Sequence, residues 1–218
     1  MFLYLAGRGS PPRPGRILYP DVWRPVKCPW CDSAGTWHPD YVPEDIERIE
    51  PGVLAERAMR HPAEFVVVTG GEPAIHDLFP LTRALKKRGM PAHLETSGGF
   101  NIRGDFSWVT VSPKWWKPPK PEILGQADEI KLIVEEETTI RKWWDIIEKW
   151  VGAVPVWLHP EWSKREDRAV LSSISNWVKE HGAPFRAGYQ IHKPYQVDAL
   201  DSSSRQPVPL GGNPELGF

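Results

Sequence analysis

Cys28 and Cys31 are separated by two residues in the stretch Lys27-Cys28-Pro29-Trp30-Cys31-Asp32-Ser33, and they are the chain's only cysteines. Two thiols at this spacing can hold a soft metal or an iron–sulfur cluster, and Asp32 and Ser33 add hard oxygen donors immediately beside them. The same pair also suits a zinc half-site that needs two further ligands, a dithiol redox couple, or two inert buried thiols. The spacing alone leaves these chemistries open.

A second group of polar residues follows at regular intervals. Thr69-Gly70-Gly71-Glu72-Pro73, Glu95-Thr96-Ser97-Gly98, Ser112-Pro113-Lys114, His159-Pro160-Glu161-Trp162 and Gln190-Ile191-His192-Lys193 each close an apolar or β-branched run. Any one of these has an ordinary structural explanation: a turn, a solvated charge, a hydrogen-bonded histidine. Their recurrence at corresponding points of successive strands predicts one polar rim, because parallel barrels carry their chemistry at the carboxyl ends of strands. The adjacent glycines let backbone groups approach a ligand closely. The chain contains no Gly-x-Gly-x-x-Gly and no P-loop lysine, so nothing points to a dinucleotide or to phosphoryl transfer.

The elements that must position these residues alternate. Strands are predicted over 64–69, 92–96, 108–112, 129–134, 154–159 and 186–192, and helices over 51–59, 77–88, 138–150 and 167–181. The run 64–69 reads as a strand buried on both faces. Residues 42–45 read as a turn, and Gly89 fits a helix C-cap. The connections 98–107 and 113–127 are too short or too proline-rich for full helices. Alternating strand and helix predicts α/β architecture with a mostly parallel sheet, best fitted by an incomplete (β/α) barrel, with a doubly wound open sheet as the alternative.

Composition narrows the partner. With 27 basic and 28 acidic side chains in 218 residues, no nucleic acid or anionic membrane surface is indicated, and a small molecule is expected. Two cysteines form no disulfide framework, and neither a membrane-length apolar run nor a signal peptide is recognisable, which points to a cytoplasmic location. The 12 Trp and 24 Pro imply aromatic packing and rigid loops. Residues 7–16 form a Pro/Arg/Gly run that reads as loop or tail.

Taken in order, the Cys-Pro-Trp-Cys-Asp-Ser segment and the five polar strand ends resemble 7-carboxy-7-deazaguanine synthases, members of the radical S-adenosylmethionine superfamily, from about residue 25 to 192. Gly-Gly-Glu-Pro marks the superfamily; Cys-Asp-Ser and Gln-x-His-Lys mark the family. The resemblance implies a carbon–nitrogen lyase with no catalytic side chain beyond the cofactor ligands. Its reaction is the ring contraction of 6-carboxy-5,6,7,8-tetrahydropterin to 7-carboxy-7-deazaguanine with loss of ammonia, in queuosine biosynthesis. Three cofactors follow from it: a 4Fe-4S cluster, S-adenosylmethionine and Mg²⁺. An electron donor such as flavodoxin and a homodimer are also implied. Position by position, Cys28 and Cys31 match cluster ligands and Ser33 the magnesium ligand. Trp30, Asp32, Gly71, Ser112, Pro113, Lys114, His159, Pro160, Glu161 and Trp162 match the S-adenosylmethionine site, and Thr69 and His192 match substrate contacts.

One departure bears on activity. The family's cluster takes three cysteines, and its first falls here at Arg24 or, with a longer gap, at Arg13. The family's N-terminal strand, with its Gln-Gly-Glu-Gly segment and substrate-binding arginine, is not recognisable in residues 1–24, which read as a replaced N-terminal end. The expected organisation is an atypical segment over 1–24, the partial barrel over 25–193 and a tail over 194–218. Two other functions remain open: a dithiol oxidoreductase using Cys28 and Cys31, or a catalytically impaired homologue that binds pterin or S-adenosylmethionine without turnover.

Overall fold

The computed structural model describes residues 2–5, 49–60, 62–191 and 194. The 7–16 run, the 42–45 turn and the tail beyond 194 lie outside these residues, apart from Pro194 itself. Among the described residues seven strands follow one another: β1 (Phe2–Leu5), β2 (Val66–Gly70), β3 (Ala92–Thr96), β4 (Trp108–Val111), β5 (Glu129–Val134), β6 (Val156–Pro160) and β7 (Phe185–Ala187). They pair in parallel in sequence order, and β1 and β7 form the two edges. Consecutive order with no switch point is barrel winding left unclosed, which rules out the doubly wound alternative.

Five helices are interleaved: α1 (Pro51–Ala58), α2 (Phe79–Lys86), α3 (Pro121–Leu124), α4 (Thr139–Ile147) and α5 (Arg168–His181). The longer helices dock through apolar residues one turn apart. On α4 these are Ile140, Trp143 and Ile147, and on α5 Val170, Ile174 and Trp177. They meet Val66, Val68, Leu94, Val111, Ile130, Leu132, Val156 and Leu158 in one core. Each such aliphatic side chain contributes on the order of 1.5–3 kcal/mol by leaving water. The start of α5 is fixed by Asp167, whose carboxylate accepts the amides of Ala169 and Val170 at 3.0 and 3.3 Å.

Three differences from the sequence-based expectation have physical causes. Phe2–Leu5 forms an edge strand, with Phe2 opposite Val67 and Leu5 opposite Gly70, although no strand is recognisable there by motif. Backbone pairing along β2 needs no motif, only an extended segment of strand-forming residues. β2 is not buried on both faces: Val66 and Val68 are buried, whereas Val67 and Thr69 are half-buried, because an open barrel leaves its inner face uncovered. β7 stops at Ala187, three residues before Gln190, because only three positions pair with β6. The proline-rich connection 113–127 holds just the single-turn α3, with Pro121 at its start.

Candidate functional site

The sheet has two chemically distinct faces. Alternate residues point into the helix-packed core, and those between them form an inner face that includes Thr69, His93, Glu95, Thr110, Glu129, Lys131, Trp157 and His159. On this face the Nζ of Lys131 lies 3.0 Å from the Oε2 of Glu95, a bridge that passes from β5 across β4 to β3. The carboxylate of Glu129 accepts the Thr110 hydroxyl at 2.8 Å and the Trp157 indole N–H at 3.1 Å, tying β4, β5 and β6 together. A lone polar face on a sheet is costly to bury and cheap to solvate. Its charges are therefore matched in pairs or by hydrogen bonds.

The rim above this face is built by internal hydrogen bonds. Glu72 follows β2 and is almost fully buried, at 5% exposure. One carboxylate oxygen accepts the Ala74 amide at 3.1 Å and the Thr96 hydroxyl at 2.6 Å; the other accepts the Ser97 amide at 2.8 Å and the Ser97 hydroxyl. A single carboxylate thus joins the ends of β2 and β3. Gly98 comes next at φ +78°, and a Cβ there would lie 2.8 Å from the Pro119 Cβ and 2.9 Å from the Val111 Cγ1. Only glycine fits that turn.

Ser112 ends β4 buried, its amide donating to the Thr96 carbonyl at 2.8 Å. Lys114 folds back over it, with Nζ 2.7 Å from the Ser112 Oγ and 2.9 Å from its carbonyl oxygen. Pro113 between them is buried. His159 and Pro160 close β6. The Glu161 carboxylate caps the 3-10 turn Trp162–Lys164 by accepting the Ser163 amide at 3.1 Å and the Ser163 hydroxyl, while the Arg165 guanidinium lies 4.9 Å from the Trp162 ring. The side chain of Glu161 is thereby committed to its own turn.

Thr69, Gly71, Ser112, Pro113, Lys114, His159, Pro160, Glu161 and Trp162 all stand at the carboxyl ends of β2, β4 and β6, on one rim. Cys28, Trp30, Cys31, Asp32, Ser33 and His192, together with Arg24, lie outside the described residues. Among the described residues no group of three or more His, Cys, Asp or Glu is arranged to hold a metal ion. The carboxylates of Glu72 and Glu129 and the Lys131–Glu95 bridge were not singled out from the sequence. For Glu95, Glu129 and Lys131 a signal existed in the alternation along β3 and β5, which puts each charge on the inner face; Glu72, in the loop after β2, had no such signal.

The rim is polar. It carries the Ser112 hydroxyl and the Lys114 ammonium group, and the buried side-chain oxygen of Gln190, just past β7, has no hydrogen-bond partner among the described residues. The cluster fits less well, since the chain holds two thiols where three are called for.

Consecutive winding, an open seam and Gly-Gly-Glu-Pro at the end of β2 define the incomplete (β/α) barrel of radical S-adenosylmethionine enzymes. Comparison with known proteins narrows this class. A 7-carboxy-7-deazaguanine synthase from a Synechocystis strain is 36% identical over 169 residues, 77% of each chain. Another from Flavobacterium psychrophilum is 31% identical over 170 residues, covering 77% of this chain and 76% of that one. The crystal structure of QueE from Escherichia coli superposes with a TM-score of 0.65 at 27% identity, covering 87% of this chain and 84% of that one. No family model matches. The chain belongs to the 7-carboxy-7-deazaguanine synthase family.

Proposed function

We propose that the chain binds S-adenosylmethionine on the rim of β2, β4 and β6 and a carboxylated tetrahydropterin over the inner face, and serves the formation of 7-carboxy-7-deazaguanine. The observation that carries this reading is the rim itself: Gly71, Ser112, Lys114 and His159 come from three strands to one end of the sheet, and Glu72 and Gly98 fix the loops beside them. Given one electron from a reduced cluster, bound S-adenosylmethionine would supply hydrogen-atom abstraction. The chain's part is to orient and to exclude water. Ser112 and Lys114 offer polar contacts, Thr69 on the inner face and His192 are assigned to the substrate, and Ser33 with the substrate's own oxygens is assigned to Mg²⁺, which retains most of its waters. A flavodoxin-like donor, a homodimer and a cytoplasmic setting complete the reading; among the described residues no helix is long and apolar enough to cross a membrane.

The cysteine count favours a second reading. Cys28 and Cys31 give two thiolates, and a guanidinium at position 24 stays protonated and donates only. Three protein-bound irons of a cubane cannot all be held by this set. The chain as it stands is then a binder of pterin or S-adenosylmethionine with little turnover. Anaerobic reconstitution with iron and sulfide, an iron count and mass-spectrometric detection of 7-carboxy-7-deazaguanine decide between the two. About four irons and product support the first reading. Calorimetric pterin binding without iron or product supports the second, and a reversible dithiol couple without either ligand would return the site to the oxidoreductase reading.

A further inference from the structure

We propose that Gly188 is a positioning residue that holds the imidazole of His159 at the rim. His159 is the fourth residue of β6, and its ring lies against the backbone of the segment just past β7. A Cβ built at position 188 would sit 2.3 Å from Nε2, 2.6 Å from Cδ2 and 2.9 Å from Cε1 of that ring. No real contact is that short, so the ring occupies the volume that any other residue's side chain would need.

The backbone at this point is held by the sheet. The Gly188 amide donates to the Leu158 carbonyl at 2.9 Å, continuing the β6–β7 pairing in which Leu158 faces Ala187. The ring also meets Trp157 edge-on, with centroids 6.5 Å apart at 67°. Trp157 is itself held: its indole N–H donates to Glu129 at 3.1 Å, and the Arg186 guanidinium lies 5.4 Å from its ring. His159 thus packs against a held indole and a bare stretch of main chain, and a methyl group at 188 would displace it from the rim. The consequence for S-adenosylmethionine rests on the functional reading above.

The test uses the full chain with ¹³C-labelled histidine. The His159 ring resonance is assigned by its loss in His159→Ala and followed in Gly188→Ala before any ligand is added; calorimetry then measures S-adenosylmethionine affinity of the reconstituted protein. Gly188→Ala should move the His159 resonance and weaken binding by about tenfold, and in the His159→Ala background it should add nothing. An unmoved resonance, or an equal further weakening in the His159→Ala background, overturns the proposal. If Gly188→Ala folds poorly, the double variant His159→Ala/Gly188→Ala should regain the parent's thermal midpoint because the space is vacated, and failure to do so also overturns it. A ring that moves while His159→Ala binds S-adenosylmethionine like the parent leaves the positioning intact and removes His159 from the ligand site.

Discussion

Glu72 grips Ser97 through both of that residue's donors, its amide at 2.8 Å and its hydroxyl, and so locks the loop after β3 to the loop after β2. The carboxylate is buried and is met by neutral donors from Ala74, Thr96 and Ser97. Glu72→Ala leaves these groups to find new partners inside the protein, each at a cost of about 1–3 kcal/mol when unmet. The variant should lose roughly 3 kcal/mol or more of stability in urea unfolding. Glu72→Gln retains acceptor capacity at one oxygen only and should fall between the two. A Glu72→Ala protein as stable as the parent would mean that the loops are held by something else.

Lys131 and Glu95 make the charge pair of the inner face, with side chains 25% and 32% exposed. A pair this accessible contributes only about 0–1 kcal/mol to stability. Lys131→Met should therefore leave the thermal midpoint nearly unchanged. If the inner face receives the substrate, freeing the Glu95 carboxylate should still weaken pterin binding by about tenfold in calorimetry, since roughly 1.4 kcal/mol of orientation is lost. Unchanged pterin affinity would place the substrate elsewhere.

His76, just after the 3-10 turn Pro73–Ile75, has its pKa lowered to about 3, first by burial and then by the positive charge of Arg103. The folded protein keeps this imidazole neutral, while the unfolded chain protonates it below about pH 6.5. Its contribution is thus complete above pH 6.5 and is lost as the pH falls from there toward 3, with a slope of at most about 1.4 kcal/mol per pH unit. His76→Gln should flatten the acid limb of urea-midpoint against pH measured from pH 7 to 4. An unaltered limb would assign the acid sensitivity to other groups.

Arg24→Cys supplies the third thiolate at the spacing of the family's cluster. The expected result is a rise in iron retained after anaerobic reconstitution from a small fraction toward four per chain, with the visible absorption of an iron–sulfur protein. Iron content equal to that of the parent would show that position 24 does not reach the cluster. Ser33→Ala should reduce the magnesium dependence of turnover in that background more than it reduces S-adenosylmethionine affinity.

The sequence by itself determined the order and type of most elements. The β-branched run ending at Thr69 and the alternation at 92–96 and 129–134 are local patterns, and helices with apolar residues one turn apart declare the face they bury. It also determined the chemistry available, since Gly-Gly-Glu-Pro, Ser112, Lys114 and His159 are read directly. Only the tertiary structure decided that the sheet is wound in order and left open, because strand pairing is a contact between segments distant in the chain. The edge strand at Phe2–Leu5 is the clearest instance, being defined by what it pairs with and not by its own residues. The same reason hides Glu72 gripping Ser97, Lys131 reaching Glu95 and Gly188 making room for His159. Each is a relation of distance across strands, and spacing along one chain carries no record of it until the register is fixed.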